Sequence, residues 1–165
     1  MTAGKSRIDA LDNLVMLCEQ HVESQEDRDG HIASLLAQSL LIKICAACEA
    51  LLRELVMERC AAVEDASVHE YLESCTKTTV RRLQVNEVAG VIGRFGKHHK
   101  GRFQTLVEAD QRSKTGYSSL ITNRIQVAHE GTSNATLRDV KEYFNHGRAV
   151  LDYAREALWE TAGLD

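Results

Sequence analysis

Not one of the 165 residues is proline, and three Phe, four Tyr and one Trp are the only aromatics. Proline breaks a helix by removing a donor and clashing with the preceding turn, so its absence permits long unbroken helices. Abundant Ala, Leu, Glu and Arg favour the same state and leave few tight turns. The fold class these features predict is all-α. A chain of this length is expected to form one domain that buries about two-thirds of its unfolded surface.

Also lacking is a targeting signature, because the polar and charged residues 1–12 contain no apolar stretch of the signal-peptide kind. The most apolar run, residues 40–57, carries Lys43, Glu49, Arg53 and Glu54. It therefore reads as a buried helix and not as a membrane span. The five cysteines, at positions 18, 45, 48, 60 and 75, are an odd number. Cys45 and Cys48 have CxxC spacing, but they sit in a helix-period apolar run with no second pair nearby. They read as small core thiols, not as a metal or redox site. The expectation is a cytoplasmic protein with no metal, no cofactor and no membrane partner.

The net charge of −4 conceals an asymmetry. Residues 77–124 hold ten basic side chains against Glu87, Glu108 and Asp110, a balance of +7; the rest of the chain balances at −11. A basic block inside an acidic protein is the electrostatic footprint of a polyanion partner, or one half of an interface with the acidic part.

Apolar periodicity predicts helices over residues 5–22, 31–61, 65–75 and 86–95, the second apolar nearly all round and so central. Residues 23–30 and 76–82 read as connections, and Gly96 to Gly101 as a loose turn. A short apolar-periodic piece covers 103–109. Gly116 precedes a better helix over 117–128, with Leu120, Ile121, Ile125 and Ala128 on one face, and Gly131 stops it. Thr136, with Asp139 three residues on, caps a final helix over 137–159.

Two Arg-x4-His pairs occur, Arg124–His129 and Arg94–His99. Arginine is a permanent planar cation and histidine exchanges a proton near neutrality, which is enough to cut RNA without a metal. Spacing does not separate the two pairs. Position does: Arg124–His129 ends a helix at Gly131, just before the Thr136 cap and beside the basic block.

Taken in order, several segments resemble the HEPN superfamily, most closely its RiboL-PSP type, over roughly residues 34–158. They are Cys48-Glu49-Ala50-Leu51-Leu52-Arg53-Glu54-Leu55 in a long apolar helix, Ile92-Gly93-Arg94-Phe95-Gly96, Arg124-Ile125-Gln126-Val127-Ala128-His129-Glu130-Gly131, and the Thr136-capped helix. The resemblance implies a HEPN-like helical bundle with a long central helix, assembled as a two-fold homodimer. It implies a metal-independent endoribonuclease whose motifs face each other across the dimer axis. It further implies a toxin or antiviral-defence role with a neutralising antitoxin protein as partner. Arg124 and His129 match the catalytic pair. The chain departs from the pattern at Ile125, where catalytic members usually carry a polar residue, and the family also includes non-catalytic modules that bind RNA or protein.

On a helix, residues five apart stand about 140° apart, so Arg124 and His129 do not share a face. They converge if the helix ends near His129, or across a dimer axis. The helix C-terminus suits a group that carries a proton to the leaving 5′-oxygen. Arg124 would brace the phosphorane oxygens, and the need for a 2′-hydroxyl would select RNA. Candidate RNA contacts are Arg94, Lys97, His99, Lys100, Arg102, Arg112 and Lys114, each otherwise a solvated side chain. Asn123 either contacts RNA or hydrogen-bonds locally. Glu49 either orients a site residue or pairs with Arg53 within its helix.

Overall fold

The computed structural model describes residues 3–24, 30–61, 65–79 and 83–159. Among these the chain is all-α, with no strand. Eight α-helices follow in order: α1 (Ala3–Ser24), α2 (His31–Cys60), α3 (Ala66–Thr79), α4 (Val85–Ile92), α5 (Lys97–Ala109), α6 (Gln111–Glu130), α7 (Leu137–Gly147) and α8 (Ala149–Trp159). A 3-10 turn at Gly93–Phe95 joins α4 to α5. Of the expected connections, residues 25–29 and 80–82 lie outside the described residues, while residues 23–24 belong to α1 and residues 76–79 to α3, which therefore runs past its expected end at 75.

The 30-residue α2 is the hub, packed against α1, α3, α6, α7 and α8. By length and hydropathy it is apolar enough to cross a membrane. Here Leu40, Leu41, Ile44 and Leu52 are almost wholly buried against its neighbours. From α1, Leu11, Val15 and Cys18 are buried, and Ile8 and Leu14 pack partly against them. From α7 and α8 the expected inward set, Val140, Phe144, Val150, Leu151, Ala154 and Leu158, is buried throughout. The ion pairs Arg7–Glu54, Lys141–Glu19, Arg148–Asp12 and Arg155–Glu58 lace the exterior. Such exposed pairs contribute at most about 1 kcal/mol each.

Three further boundaries differ from the sequence expectation. The predicted loose turn at 96–101 contracts to Gly96, whose φ of 144° admits only glycine comfortably. Lys97 to Gly101 already belong to α5. Gly116 does not precede a helix but lies inside α6, which starts five residues earlier. The Asp110 carboxylate caps that start, accepting from the Ser113 nitrogen at 3.1 Å. Gly116 is the place where α7 crosses: a Cβ there would meet the Gly147 nitrogen, the His146 Cβ and the Tyr143 oxygen, all at 3.0 Å. Lastly, the terminal helix is divided at Arg148, right after that crossing.

Both sequence signals at the α6–α7 corner operate as read. Gly131 adopts φ 74° and donates its N–H to the Val127 carbonyl at 3.0 Å, closing α6 in a left-handed cap. The Thr136 hydroxyl accepts from the Asp139 nitrogen at 3.2 Å while the Asp139 carboxylate accepts from the Thr136 nitrogen at 2.9 Å.

Candidate functional site

Arg124 and His129 line one cleft of about 470 Å³ between α2, α4 and α6. The helix does not end early to bring them together, since α6 continues to Glu130. Helical geometry explains the arrangement. At 100° per residue, Ile121 and Ile125 stand between the directions of Arg124 and His129 on the helical wheel. The two isoleucines form a floor, and the arginine and histidine rise on opposite flanks of it. Arg124 is half-buried and His129 exposed.

The facing wall comes from elements distant in sequence. From α2, Cys45 and Glu49 line the cleft; from the start of α4 come Leu83, Gln84 and Glu87. Burial pushes the Cys45 thiol up to about 12, against the pull of Arg124 and with the push of Glu49. This thiol is therefore protonated and unreactive at neutral pH. It donates to the Leu120 carbonyl at 3.7 Å. Glu87 accepts from the Gln84 nitrogen at 3.1 Å and is thereby tied to the α4 N-terminus. Glu49 stands 3.9 Å from Arg53, a loose pair at i,i+4 and the intrahelical partner that the sequence offered.

None of the other candidate residues lines this cleft. Arg94 lies on the 3-10 turn, and Lys97 and Lys100 in the first turn of α5, all three exposed. His99 is only 5% exposed, and its Nδ1 donates to the Ala157 carbonyl at 2.6 Å. Its ring, 3.8 Å from that of His98, anchors α5 to α8, so His99 is withdrawn from the surface set proposed to meet RNA. Arg102 pairs with Glu156 at 2.7 Å and Lys114 with Glu108 at 2.6 Å, which neutralises two members of the basic block. Arg112 is exposed near the start of α6.

Asn123 has both ends engaged: its amide donates to the Ser119 carbonyl at 2.9 Å and its oxygen accepts from the Ser133 hydroxyl at 2.7 Å. The same side of α6 carries two further hollows. One of about 310 Å³ includes Lys114 and Asn123; the other, about 520 Å³, adjoins the Arg124–His129 cleft through Gln84 and Ile121.

Reading the sequence located the two flanks and named Glu49. It missed Gln84, Glu87 and Cys45 as cleft residues, and the one local signal was the Gln84-x-x-Glu87 pattern, which marks a helix start and not a site. Among the described residues, no group of three or more His, Cys, Asp or Glu side chains converges as a metal ion would require. Comparison with known protein families, with curated proteins and with solved structures gives no match to this chain.

Proposed function

We propose that the cleft between α2, α4 and α6 is the site of a metal-independent endoribonuclease of the HEPN type, acting as a homodimer in a toxin or antiviral-defence setting. The observation that carries this reading is that Arg124 and His129 flank a single cleft over an apolar floor. In the reaction, the ribose 2′-oxygen bonds to phosphorus and the bond to the 5′-oxygen breaks. His129 protonates the leaving oxygen, and a second base, the same histidine of a second copy or a water, takes the 2′-hydroxyl proton. The products are a 2′,3′-cyclic phosphate and a 5′-hydroxyl end. Arg124, half-buried beside the Ile121–Ile125 floor, binds the phosphorane oxygens in a fork.

The test is cleavage of single-stranded RNA in EDTA. Wild type is expected to cut, and Arg124→Ala and His129→Ala each to lose about a hundredfold or more in rate. Cleavage that survives both substitutions would remove the site assignment.

Glu49 and Glu87, which line the same cleft, favour a second reading: a non-catalytic module whose cleft receives a basic protein segment. Under that reading wild type cuts no RNA, and Glu49→Gln weakens protein capture while Arg124→Ala does not.

A further inference from the structure

The 520 Å³ hollow beside the Arg124–His129 cleft has a different character from it. It lies between α4, α5 and α6, and its apolar lining is aliphatic, with Val85, Ala89, Val107 and Ile121. Around them stand neutral hydrogen-bonding groups: the amides of Asn86 and Gln104 and the hydroxyls of Ser118 and Thr122. Asn86, Gln104, Ser118 and Thr122 are all exposed. Among the described residues, no hydrogen bond within the chain engages these four side chains. The hollow's cation, Lys114, is held by Glu108 at 2.6 Å and so is already neutralised. Apolar walls, unengaged amides and little free charge suit a flat, neutral, polar-edged group. They do not suit a phosphate.

We infer that this hollow binds an unpaired nucleobase of single-stranded RNA, next to the phosphodiester held in the Arg124–His129 cleft. A side-chain amide offers one donor and one acceptor in a plane, the combination that reads a base edge, and the aliphatic lining gives the ring an apolar surface to lie against. The position is right for neighbouring parts of one nucleotide chain. Ile121 lies on the boundary of both spaces, and Arg124 follows it less than one helical turn later, about 4.5 Å along the axis. Duplex RNA cannot deliver a base into such a hollow without unpairing, so the ligand class is single-stranded. The inference rests on the endoribonuclease reading for the adjoining cleft, but it predicts something that reading does not, namely base selectivity set by Asn86 and Gln104.

The experiment separates the two. Binding of labelled oligo(A), oligo(U), oligo(C) and a hairpin RNA is measured in EDTA with His129→Ala protein, so that cleavage does not interfere. One homopolymer is expected to bind about tenfold tighter than the others, and the hairpin stem weakest. Adding Asn86→Ala and Gln104→Ala is expected to flatten that preference to within about threefold while a salt-dependent residual affinity remains. Both residues are exposed, so the variant should keep its fold, which its helical circular dichroism would verify. Equal binding of all homopolymers, an undiminished preference in the double variant, or no RNA binding at all would each overturn the inference. Wild-type protein that cuts nothing yet shows a preference abolished by the two substitutions would leave the base site standing and remove only the nuclease reading.

Discussion

Gly147 of α7 approaches Tyr117 of α6 so closely that a Cβ on the glycine would stand 2.7 Å from the tyrosine nitrogen and 2.8 Å from its Cα. These are backbone atoms within a helix, and they cannot swing aside as a side-chain tip can. Gly147→Ala must therefore push α7 away from α6. A core forced apart in this way typically loses about 1–3 kcal/mol. Urea denaturation should show that loss for Gly147→Ala, whereas Gly90→Ala, where a Cβ meets nothing within 4 Å, should be neutral or stabilising as a helix-interior glycine replacement.

The same crossing buries Tyr117 completely, yet its hydroxyl has no hydrogen-bond partner among the described residues. Burial also raises its pKa well above the ordinary value, so the group stays neutral. An unpaired buried hydroxyl costs stability, while the ring supplies packing. Tyr117→Phe should therefore leave the thermal midpoint unchanged or raise it, by up to about 1 kcal/mol in stability. A clear fall in a melting experiment would show that the hydroxyl does have a partner.

Acid sensitivity should centre on Asp110. Its carboxylate accepts from the Ser113 hydroxyl at 2.6 Å, the Ser113 nitrogen at 3.1 Å and the Tyr153 hydroxyl at 2.7 Å. Those bonds, led by the Ser113 hydroxyl, lower its pKa from 3.8 to about 2. The folded value lies below the unfolded one, so the stabilisation is present above pH ~3.8 and is lost as pH falls towards about 2. Thermal midpoints followed from pH 7 to 2 should drop in that window. Asp110→Asn should start lower at neutral pH and fall less steeply, and Tyr153→Phe should shift the drop to higher pH.

Sequence and structure agree where the cause is local and part where it is distant. The αL cap at Gly131 and the Thr136–Asp139 box depend on residues within a few positions, so pattern alone located them. The length of α2 followed from an apolar run without proline. Gly116 carried the opposite lesson. A glycine in sequence suggests a break, but here α7 sits against it, and that close approach belongs to residues some thirty positions away. His99 likewise looks like a surface histidine until α8 supplies Ala157 as its acceptor. The cleft divides in the same manner: both flanks lie on one helix and were legible, while Glu87 and Gln84 arrive from α4 by tertiary packing. Ala128, expected on the inward face, is exposed, although Val127 beside it packs against the core.

Whether Asn123 serves RNA or the fold can be decided by its partner Ser133, which is buried and joins the loop after Gly131 to α6. The Ser133 hydroxyl donates to the Asn123 oxygen at 2.7 Å and accepts from the Ala135 nitrogen at 3.1 Å. This chain of bonds fixes the entry to α7 and with it the end of α6 that presents His129. Removing either side chain breaks the same bond, so Asn123→Ala and Ser133→Ala should each destabilise by about 1 kcal/mol, and the double variant by clearly less than the sum. RNA affinity then discriminates. If Asn123 acts only through the loop, both single variants lower affinity equally, in step with their stability. If its amide touches RNA, Asn123→Ala loses several-fold more affinity than Ser133→Ala at matched stability, because Ser133→Ala leaves that amide in place.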